Sequence, residues 1–442
     1  MQDWLWATAA DLGRGIGAGD IDPVDLCEVY LAAIEAHPHR DRIYARVTAD
    51  RARVEAAAAS DRARAGRRVS PLDGVPVSWK DLFDTAGVAT EAGTALMAGR
   101  VPQNDAEVLR AATAAGLVCL GKTHMSEIAF SGLGLNPITA TPPCVNDDAA
   151  VPGGSSSGAA ASVAFGLAAA AIGSDTGGSV RIPSIWNDLV GFKTTHGRLS
   201  LTGVVPLCSE FDTVGPLCRS VEDAALVTAA LEGSRAPDLA GASLTGLRFA
   251  ALQSVVLDDV AEASMAGYHA ALKRLADAGA VIEEVAAPEL ERAFAMSLPL
   301  YTADAYANWR DLVEAAPDKM FPQILERVSA GRDVPAHDYL ALWAELRDLR
   351  RSYDARMAGF DAVLCPGAAN MPPDADRLMT DDAYYKTQNL LTLRNTRVAN
   401  LMGGASVALP VGVPSVGLLI NVAGGQDDRL LRIAAAAEAA LR

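Results

Sequence analysis

The fold is decided by three short apolar runs, GVPVSW (74–79), LVCLGK (117–122) and AAIGSD (170–175), which are typical of buried β-strands. Two segments that separate them, AEVLRAATAAG (106–116) and ASVAFGLAAA (161–170), are rich in helix-forming residues. Strands that alternate with helices indicate an α/β domain, and we expect it to be built on a largely parallel sheet.

The flanking regions extend this pattern without a break. IDPVDLCEVYLAAIEAH (21–37) predicts a helix that is capped by Asp22 and has Pro23 in its first turn. Residues 241–361 have mostly helical patterns, and strand-like composition returns in DAVLCPG (361–367) and in residues 405–424. Because no Ser/Gly/Pro linker and no repeat divides the chain, we expect a single domain over residues 1–442.

Composition and charge exclude several classes of protein. Half of the 442 residues are hydrophobic and 21% are charged, which is typical of a soluble globular protein. The net charge of −16 argues against a protein that binds nucleic acid by itself, because such affinity comes largely from Lys and Arg. The N-terminus lacks a basic region followed by a long apolar run, and the cysteines have no CxxC spacing. We expect a cytoplasmic protein that needs no metal, cofactor, nucleic acid or membrane.

The stretch GGSSSG (153–158) admits three interpretations. A flexible linker does not fit, because the stretch leads directly into an Ala-rich segment of high helix propensity. A nucleophile elbow centred on Ser156 requires a preceding strand, whereas CVNDDAAVPGG (144–154) is polar and broken by proline. The third interpretation is a polar catalytic relay with partners elsewhere. Serines at a loop-to-helix junction also commonly cap the helix, which we expect of Ser156 and Ser157.

Two further segments supply partners for a relay. In GSDTGGSVRIPS (173–184), Ser179 follows two glycines, and such a turn can aim successive backbone N–H groups at one point, as an oxyanion hole requires. Lys80 ends an apolar strand, where burial would lower its pKa toward neutrality and let it act as a general base. Taken alone, Lys80 would more commonly pair with Asp81 or Asp84.

These segments together resemble the amidase signature family. The matching stretches are GVPVSWKDLFDTAG (74–87), GKTHMSEIAFSGLGLNP (121–137), PGGSSSG (152–158), GSDTGGSVRIPS (173–184), VGFKTTHGRLS (190–200) and GVVPLCSEFDTVGPLCRSVEDAAL (203–226). The resemblance is dense over a core signature region of about 72–226. It implies the amidase signature fold, an α/β structure with a large mixed, mostly parallel sheet covered on both faces by α-helices. Residues of about 241–361 would be a variable, helical region that covers the substrate.

The resemblance carries a Ser–cis-Ser–Lys triad onto three positions of this chain. Ser179 matches the nucleophile, Ser155 matches the bridging serine in a cis peptide, and Lys80 matches the base. The oxyanion hole would consist of backbone N–H groups, those of Thr176, Gly177, Gly178 and Ser179.

Four neighbouring side chains are expected to support this site. Asp175 and Arg181 bracket the nucleophile turn and are expected to pair with each other and hold the loop. Ser131 is expected to line the pocket. Ser156 either caps the following helix, the role we favour, or binds the active-site loop.

The activity implied by the resemblance is hydrolysis of a linear carboxamide to a carboxylic acid plus ammonia or an amine, through a seryl acyl-enzyme. The alternative is a glutaminase-type subunit of a tRNA-dependent amidotransferase complex, in which a partner would bind the tRNA. The expected ligand is a small-molecule amide, and a homodimer is left open.

The residues that select the substrate are expected in the variable region between about 241 and 400. Tyr301, Tyr306 and Trp309 are candidates for an aromatic pocket wall, although core packing explains such residues equally well. Arg394 and Arg397 are candidates for binding a substrate carboxylate, although arginines on a helix commonly form ion pairs instead.

Overall fold

The computed structural model describes residues 2–442 and contains a single eleven-stranded sheet. Its strands are β1 (Tyr44–Val47), β2 (Pro76–Lys80), β3 (Val118–Thr123), β4 (Ala170–Ser174), β5 (Val190–Lys193), β6 (Val214–Cys218), β7 (Arg248–Leu252), β8 (Val281–Val285), β9 (Ala362–Pro366), β10 (Ala405–Pro410) and β11 (Gly417–Val422).

The α-helices pack around this sheet and on one another. They are α1 (Ala9–Ala18), α2 (Pro23–Ala36), α3 (Arg40–Ile43), α4 (Ala49–Arg64), α5 (Glu107–Ala114), α6 (Ser157–Ala164), α7 (Arg181–Trp186), α8 (Val221–Glu232), α9 (Glu262–Asp277), α10 (Glu289–Ala315), α11 (Pro322–Ser329), α12 (Ala336–Met357), α13 (Ala375–Thr380), α14 (Asp382–Arg394), α15 (Arg397–Met402) and α16 (Asp427–Leu441). Short 3₁₀ helices lie at Gln2–Trp6, Ala95–Met97, Glu127–Ala129, Val255–Leu257 and Pro317–Lys319.

The sheet is mixed, with strands in the order β1-β3-β2-β4-β6-β5-β10-β11-β9-β7-β8. Parallel pairing joins β2 to β3 and β4, and joins β7 to β8 and β9. All other neighbouring pairs are antiparallel. The α/β class and the mixed sheet are confirmed, but the expectation of a mostly parallel sheet is wrong. One cause is the short connection between β10 and β11, which only antiparallel strands allow.

The central strands are covered on both faces. Successive residues of a strand point to opposite faces, and every residue of β2, β3, β4, β6 and β11 is buried. The edge strand β8, in contrast, is mostly exposed. Helices contact the sheet along its length, including α4 on β3, α6 on β2 and β4, α8 on β6, and α16 on β10 and β11.

The sequence patterns located most elements of the core. The three apolar runs lie on β2, β3 and β4, and the helical patterns between them lie on α5 and α6. Asp22 caps α2 as predicted, since its side chain accepts a hydrogen bond of 2.9 Å from the Val24 N–H. The region 241–361 contains α9 to α12, and it also contributes β7 and β8 to the sheet. Across residues 2–442, no helix is long and apolar enough to cross a membrane.

Candidate active site

The fold brings Lys80 and Ser174 to one edge of the sheet. They are the last residues of β2 and β4, which are parallel neighbours, so their carboxyl ends meet at that edge. The Lys80 Nζ lies 2.8 Å from the Ser174 Oγ and 2.7 Å from the Ser155 Oγ. Ser174 was not among the residues singled out from the sequence. The sequence signal that could have found it is a hydroxyl residue at the end of β4, the strand that pairs with the strand ending in Lys80.

Lys80 is fully buried and forms no ion pair with either neighbouring aspartate. Asp81 is 3.1 Å from Lys122, and Asp84 pairs with Arg100. Burial lowers the pKa of Lys80 to about 7, and the more distant carboxylates of Asp175 and Asp212 only partly oppose that shift. The simple ion-pair interpretation of this lysine is therefore wrong, and its amine can be neutral near pH 7.

GGSSSG is buried along its whole length and leads into α6; it packs against Ser126 and against the loop that contains Gly132 and Gly134. The peptide bond between Gly154 and Ser155 is cis, as the resemblance implies. The Ser126 N–H donates to the Ser155 carbonyl at 3.1 Å, and the Gly154 N–H donates to the Gly132 carbonyl at 2.7 Å. A Cβ atom on Gly154 would lie 2.6 Å from the backbone nitrogen of Gly134, so this position requires glycine. A stretch packed this tightly is not a tether.

Ser156 and Ser157 do not cap α6, which corrects the role we favoured for them. Ser156 occupies the cap position without a capping hydrogen bond; its hydroxyl donates to the Ser174 carbonyl at 3.2 Å. The hydroxyl of Ser157 donates to the His124 carbonyl at 3.3 Å. The physical reason is proximity, because a Cβ on Gly173 would meet the Ser156 Oγ at 2.6 Å. Ser156 thus fastens GGSSSG to the end of β4.

The Ser179 loop is held by a buried ion pair between Asp175 and Arg181, as the sequence predicted. Two nitrogens of Arg181 each lie 3.0 Å from a carboxylate oxygen of Asp175. The guanidinium holds the pKa of Asp175 well below its usual range, although burial alone would raise it. Arg181 also donates to the Thr396 carbonyl and to Asn400. The pair therefore ties the loop to α15.

Two side chains orient the peptide units of this loop. The Tyr301 hydroxyl donates to the Thr176 carbonyl at 3.2 Å, and the Thr396 hydroxyl donates to the Gly177 carbonyl at 2.8 Å. In a trans peptide the N–H points away from the carbonyl, so the Gly177 N–H is directed away from Tyr301. Thr176, Gly177 and Ser179 all line one cavity. Their N–H groups make no hydrogen bonds within residues 2–442 and suit an oxyanion hole.

Gly178 does not belong to that set of free donors, which corrects the sequence expectation. Its N–H donates to the Asp175 carboxylate at 2.8 Å. Its φ is +134°, and a Cβ there would lie 2.1 Å from the Thr396 hydroxyl oxygen. Gly178 is therefore needed for the turn and for the close approach of Thr396.

The backbone of Ser156, the residue after Ser155, joins GGSSSG to the Ser179 loop. The Ser156 N–H donates to the Ser179 carbonyl at 3.2 Å. The two hydroxyls of Ser155 and Ser179 do not hydrogen-bond to each other, whereas the Lys80–Ser155 contact is direct. Ser179 is nearly buried, and its hydroxyl has no hydrogen-bond partner in the described chain. It is left free toward the cavity.

The cavity at Ser179 is narrow, with a volume of about 20 Å³, roughly the space of one water molecule. It is lined by Ala129, Phe130, Ser131, Thr176, Gly177, Ser179, Leu207, Tyr301, Arg327, Leu393 and Arg397. Ser131 lines it as expected, and its hydroxyl accepts from Tyr385 and donates to Asn389 of α14, both at 3.1 Å.

The aromatic candidates separate in the structure. Tyr301 borders the cavity, whereas Trp309 donates its indole N–H to the Pro206 carbonyl and packs in the core. Tyr306 bonds to Glu314 on the same helix, away from the cavity. Of the two candidate arginines, only Arg397 reaches the cavity that holds Ser179. Arg327, which also lines it, was not among the candidates.

Asp212 is a further buried carboxylate that was missed from the sequence. It accepts hydrogen bonds from the Thr176 hydroxyl and from the N–H groups of Leu207 and Cys208. Burial raises the pKa of Asp212 to about 6. It thereby connects the Ser179 loop with Leu207 in the cavity wall. Its only signal in the sequence is its place in the matching stretch GVVPLCSEFDTVGPLCRSVEDAAL (203–226).

We expect Asp212→Ala to lower the free energy of unfolding by about 3 kcal/mol, because three buried donors lose their acceptor. Asp212→Asn should cost about 1 kcal/mol, since its amide oxygen still accepts from the Leu207 and Cys208 N–H groups. Denaturant unfolding of both variants measures the difference. Equal losses in the two variants would show that the hydrogen bonds are not what Asp212 contributes.

Comparison with known proteins identifies the family. Residues 25–431 match the Amidase family. The chain belongs to the amidase signature family. It is thus an amidase signature hydrolase, and the resemblance stated from its motifs is confirmed over nearly its whole length.

Relatives of this amidase differ in what they act on. It is 31% identical over 489 residues to a glutamyl-tRNA(Gln) amidotransferase subunit of Acidothermus cellulolyticus, covering 100% of this chain and 96% of the relative. It is 34% identical over 427 residues to the 2-amino-5-chloromuconic acid deaminase of Comamonas testosteroni, covering 94% and 91%. A crystal structure of an amidase is similar at 30% identity and a TM-score of 0.87, with 98% and 99% of the two chains covered.

Proposed function

We propose that this amidase hydrolyses a linear carboxamide to a carboxylic acid plus ammonia or an amine, with Ser179 as nucleophile, Ser155 as bridging serine and Lys80 as base. The observation that carries the proposal is the contact of 2.7 Å between the Lys80 Nζ and the cis-peptide Ser155. It joins a buried amine, whose pKa is lowered to about 7, to the loop that adjoins Ser179.

The proposed acylation step moves one proton along this relay. The Ser179 Oγ attacks the amide carbonyl carbon and gives its proton to Ser155, which gives its own proton to neutral Lys80. The N–H groups of Thr176, Gly177 and Ser179 receive the negative charge that develops on the carbonyl oxygen, one such donor contributing about 3 kcal/mol. The proton returns through Ser155 to the leaving nitrogen as the C–N bond breaks.

Deacylation uses the same groups in the same order. Water attacks the acyl-enzyme carbonyl and gives a proton to the relay, and the relay returns a proton to the Ser179 Oγ as the ester bond breaks. Lys80 ends the cycle neutral. Its second contact, with the Ser174 Oγ at 2.8 Å, can hold the amine in place in both protonation states.

A fluorophosphonate probe and a panel of amides test this function. We expect the probe to label Ser179, and at least one small amide, aryl amide or carbamoyl compound to be hydrolysed with release of ammonia or amine. Peptide mapping by mass spectrometry locates the label. Labelling at another serine, or turnover that persists after complete labelling of Ser179, would contradict the proposal.

The second candidate is a glutaminase-type subunit of a tRNA-dependent amidotransferase. It is favoured by the similarity over the full chain to the amidotransferase subunit of Acidothermus cellulolyticus. A stand-alone amidase should be active as the purified chain, whereas a glutaminase subunit should co-purify with partner chains and hydrolyse glutamine only in their presence. Activity of the isolated chain on an amide other than glutamine excludes this candidate.

A further inference from the structure

Another cavity, with a volume of about 360 Å³, lies between α12, α15 and the first residues of α16. We call it the α12–α15 cavity. It shares no lining residue with the cavity at Ser179. Its volume falls within the range of small-molecule sites in proteins. The large apolar and aromatic side chains of its wall include Tyr353, Met357, Phe360, Val363, Val398 and Met402.

Two buried polar groups at this cavity have no hydrogen-bond partner. Tyr353 is 6% exposed, and its hydroxyl makes no hydrogen bond within residues 2–442. Asn421 is 4% exposed; its amide nitrogen donates to the Val363 carbonyl at 3.1 Å, whereas its side-chain oxygen accepts nothing in the described chain. Both residues line the cavity. A buried acceptor without a donor costs free energy, which a ligand that supplies the donor recovers.

Asp354, at the mouth of the same cavity, is a carboxylate without a cation. It is exposed, and its carboxylate forms no ion pair and no hydrogen bond within residues 2–442. Asp361, the other carboxylate of the lining, is paired with Arg429. Arg350, whose charge acts on Asp354 from one helical turn away, donates instead to the Leu401 carbonyl. The cavity thus has unsatisfied polar groups at its buried end and a free negative charge at its mouth.

We propose that the α12–α15 cavity binds a small hydroxylated aromatic amine, with its hydroxyl at Tyr353 and Asn421 and its ammonium group at Asp354. A phenolic hydroxyl can accept a hydrogen bond from Tyr353 and donate one to the Asn421 oxygen. The ring would pack against Met357 and Phe360, because thioether and aromatic side chains make favourable contacts with aromatic rings. The ammonium group donates charge-assisted hydrogen bonds to Asp354.

The α12–α15 cavity is connected to the Ser179 loop through α15. Three residues of this helix line the cavity. On the same helix, Asn400 donates to the Asp175 carboxylate at 2.9 Å and accepts from Arg181 at 2.6 Å. An amine bound in the cavity therefore fixes the helix that holds the Ser179 loop, and it should slow hydrogen exchange in residues 175–181.

Three ligands that differ at one end test the proposal. Tyramine carries both groups, phenethylamine lacks the hydroxyl, and tyrosol has a hydroxyl in place of the ammonium group. We expect calorimetry to show that the wild type binds tyramine about three- to tenfold more tightly than either analogue, the range for one neutral hydrogen bond or one partly exposed ion pair. Equal binding of all three ligands, or no detectable binding of tyramine, would overturn the proposal.

Two variants assign the two ends of the ligand. Tyr353→Phe removes a hydroxyl that has no partner in the described chain, so it should abolish the preference for tyramine over phenethylamine and leave the fold stable. Asp354→Asn should abolish the preference for tyramine over tyrosol and leave tyrosol binding within about threefold. If both preferences persist in both variants, the amine binds elsewhere and the assignment is wrong.

Two alanine replacements locate the site. Ala355 and Ala358 are both exposed and lie near the end of α12, but only Ala358 lines the cavity. Ala358→Trp should fill the cavity and abolish tyramine binding, whereas the matched control Ala355→Trp should bind as the wild type does. Thermal melting establishes that both variants are folded. Loss of binding in both, or in neither, would place the amine outside this cavity.

Hydrogen exchange followed by mass spectrometry tests the link to the Ser179 loop. Tyramine should slow exchange in residues 175–181 of the wild type and of Ala355→Trp, but not of Ala358→Trp. Unchanged exchange in the wild type at saturating tyramine would show that α15 does not transmit the effect of binding. None of these measurements depends on which amide is cleaved, so they decide the proposal even if the proposed hydrolysis fails.

Discussion

Replacement of Ser179 by alanine should lower kcat/KM by about 10⁵–10⁶-fold, because the proposed acyl-enzyme cannot form without this hydroxyl. The loss should come without a loss of stability. Ser179 is nearly buried, yet its hydroxyl makes no hydrogen bond within the described residues, so alanine removes no contact that stabilises the fold. Steady-state kinetics on any amide found in the panel, together with a thermal melt, measures both quantities.

Two variants make this result specific. Ser234→Ala is the control, because Ser234 is exposed and does not line the cavity at Ser179; it should retain wild-type activity. Ser155→Ala should also lose most of the activity, since it removes the contact between the relay and Lys80. Residual activity of Ser179→Ala within about tenfold of the wild type would exclude Ser179 as nucleophile, because free N–H groups alone do not replace a covalent step.

A part of the site could be predicted from the sequence where a single short stretch carries the pattern that identifies it. The strand that ends in Lys80, the GGSSSG stretch and the turn at Ser179 were visible because each is a short run of distinctive residues. The structure places all three at one edge of the sheet, where Lys80 contacts Ser155 directly. The family resemblance, not the spacing, assigned them their roles.

What could not be predicted depends on contacts between distant segments. The orientation of the Ser179 loop depends on Tyr301 and Thr396, which lie more than a hundred residues away in sequence. The same is true of Arg327, whose helix is fixed by Glu127. The antiparallel centre of the sheet was missed for a related reason, since strand composition does not reveal which neighbour a strand pairs with. Gly178 was assigned as an oxyanion donor because sequence alone does not show that Asp175 accepts its N–H.

Replacement of Lys80 by methionine should lower kcat/KM by about 10³–10⁴-fold, since it removes the proposed base while keeping an unbranched apolar chain in the same space. Lys80 is fully buried, so the variant avoids the cost of desolvating an amine. The loss of its hydrogen bonds to Ser155 and Ser174 opposes that gain, so we expect a melting temperature close to that of the wild type. An unfolded variant would instead indicate that Lys80 has a mainly structural role.

The pH dependence of the wild type identifies the same group. Burial lowers the pKa of Lys80 to about 7, so its amine is neutral and able to accept a proton above that pH, and is protonated below it. The wild-type kcat/KM should therefore be flat above about pH 7 and fall about tenfold per pH unit below it. The residual activity of Lys80→Met should lack this decrease. A wild-type rate that stays flat down to about pH 4 would exclude lysine as the base.

Four other buried groups have a pKa shifted into the same range. One of them, Asp223, whose pKa burial raises to about 6, accepts a hydrogen bond from the Ala10 N–H of α1. The other three have to be separated from Lys80. Burial lowers the pKa of Lys193 to about 7, and raises those of Glu127 to about 7 and Asp212 to about 6. The variants Lys193→Met and Glu127→Gln should each keep the decrease in rate below pH 7, because neither group contacts Ser155 or Ser179. Asp212→Asn should keep the decrease but move it to lower pH, because the Asp212 carboxylate favours the charged form of Lys80. Lys193 is the closest match, being a buried lysine that donates to the Thr194 and Gly404 carbonyls. If the decrease disappears in Lys193→Met and persists in Lys80→Met, the base is not the lysine at the end of β2.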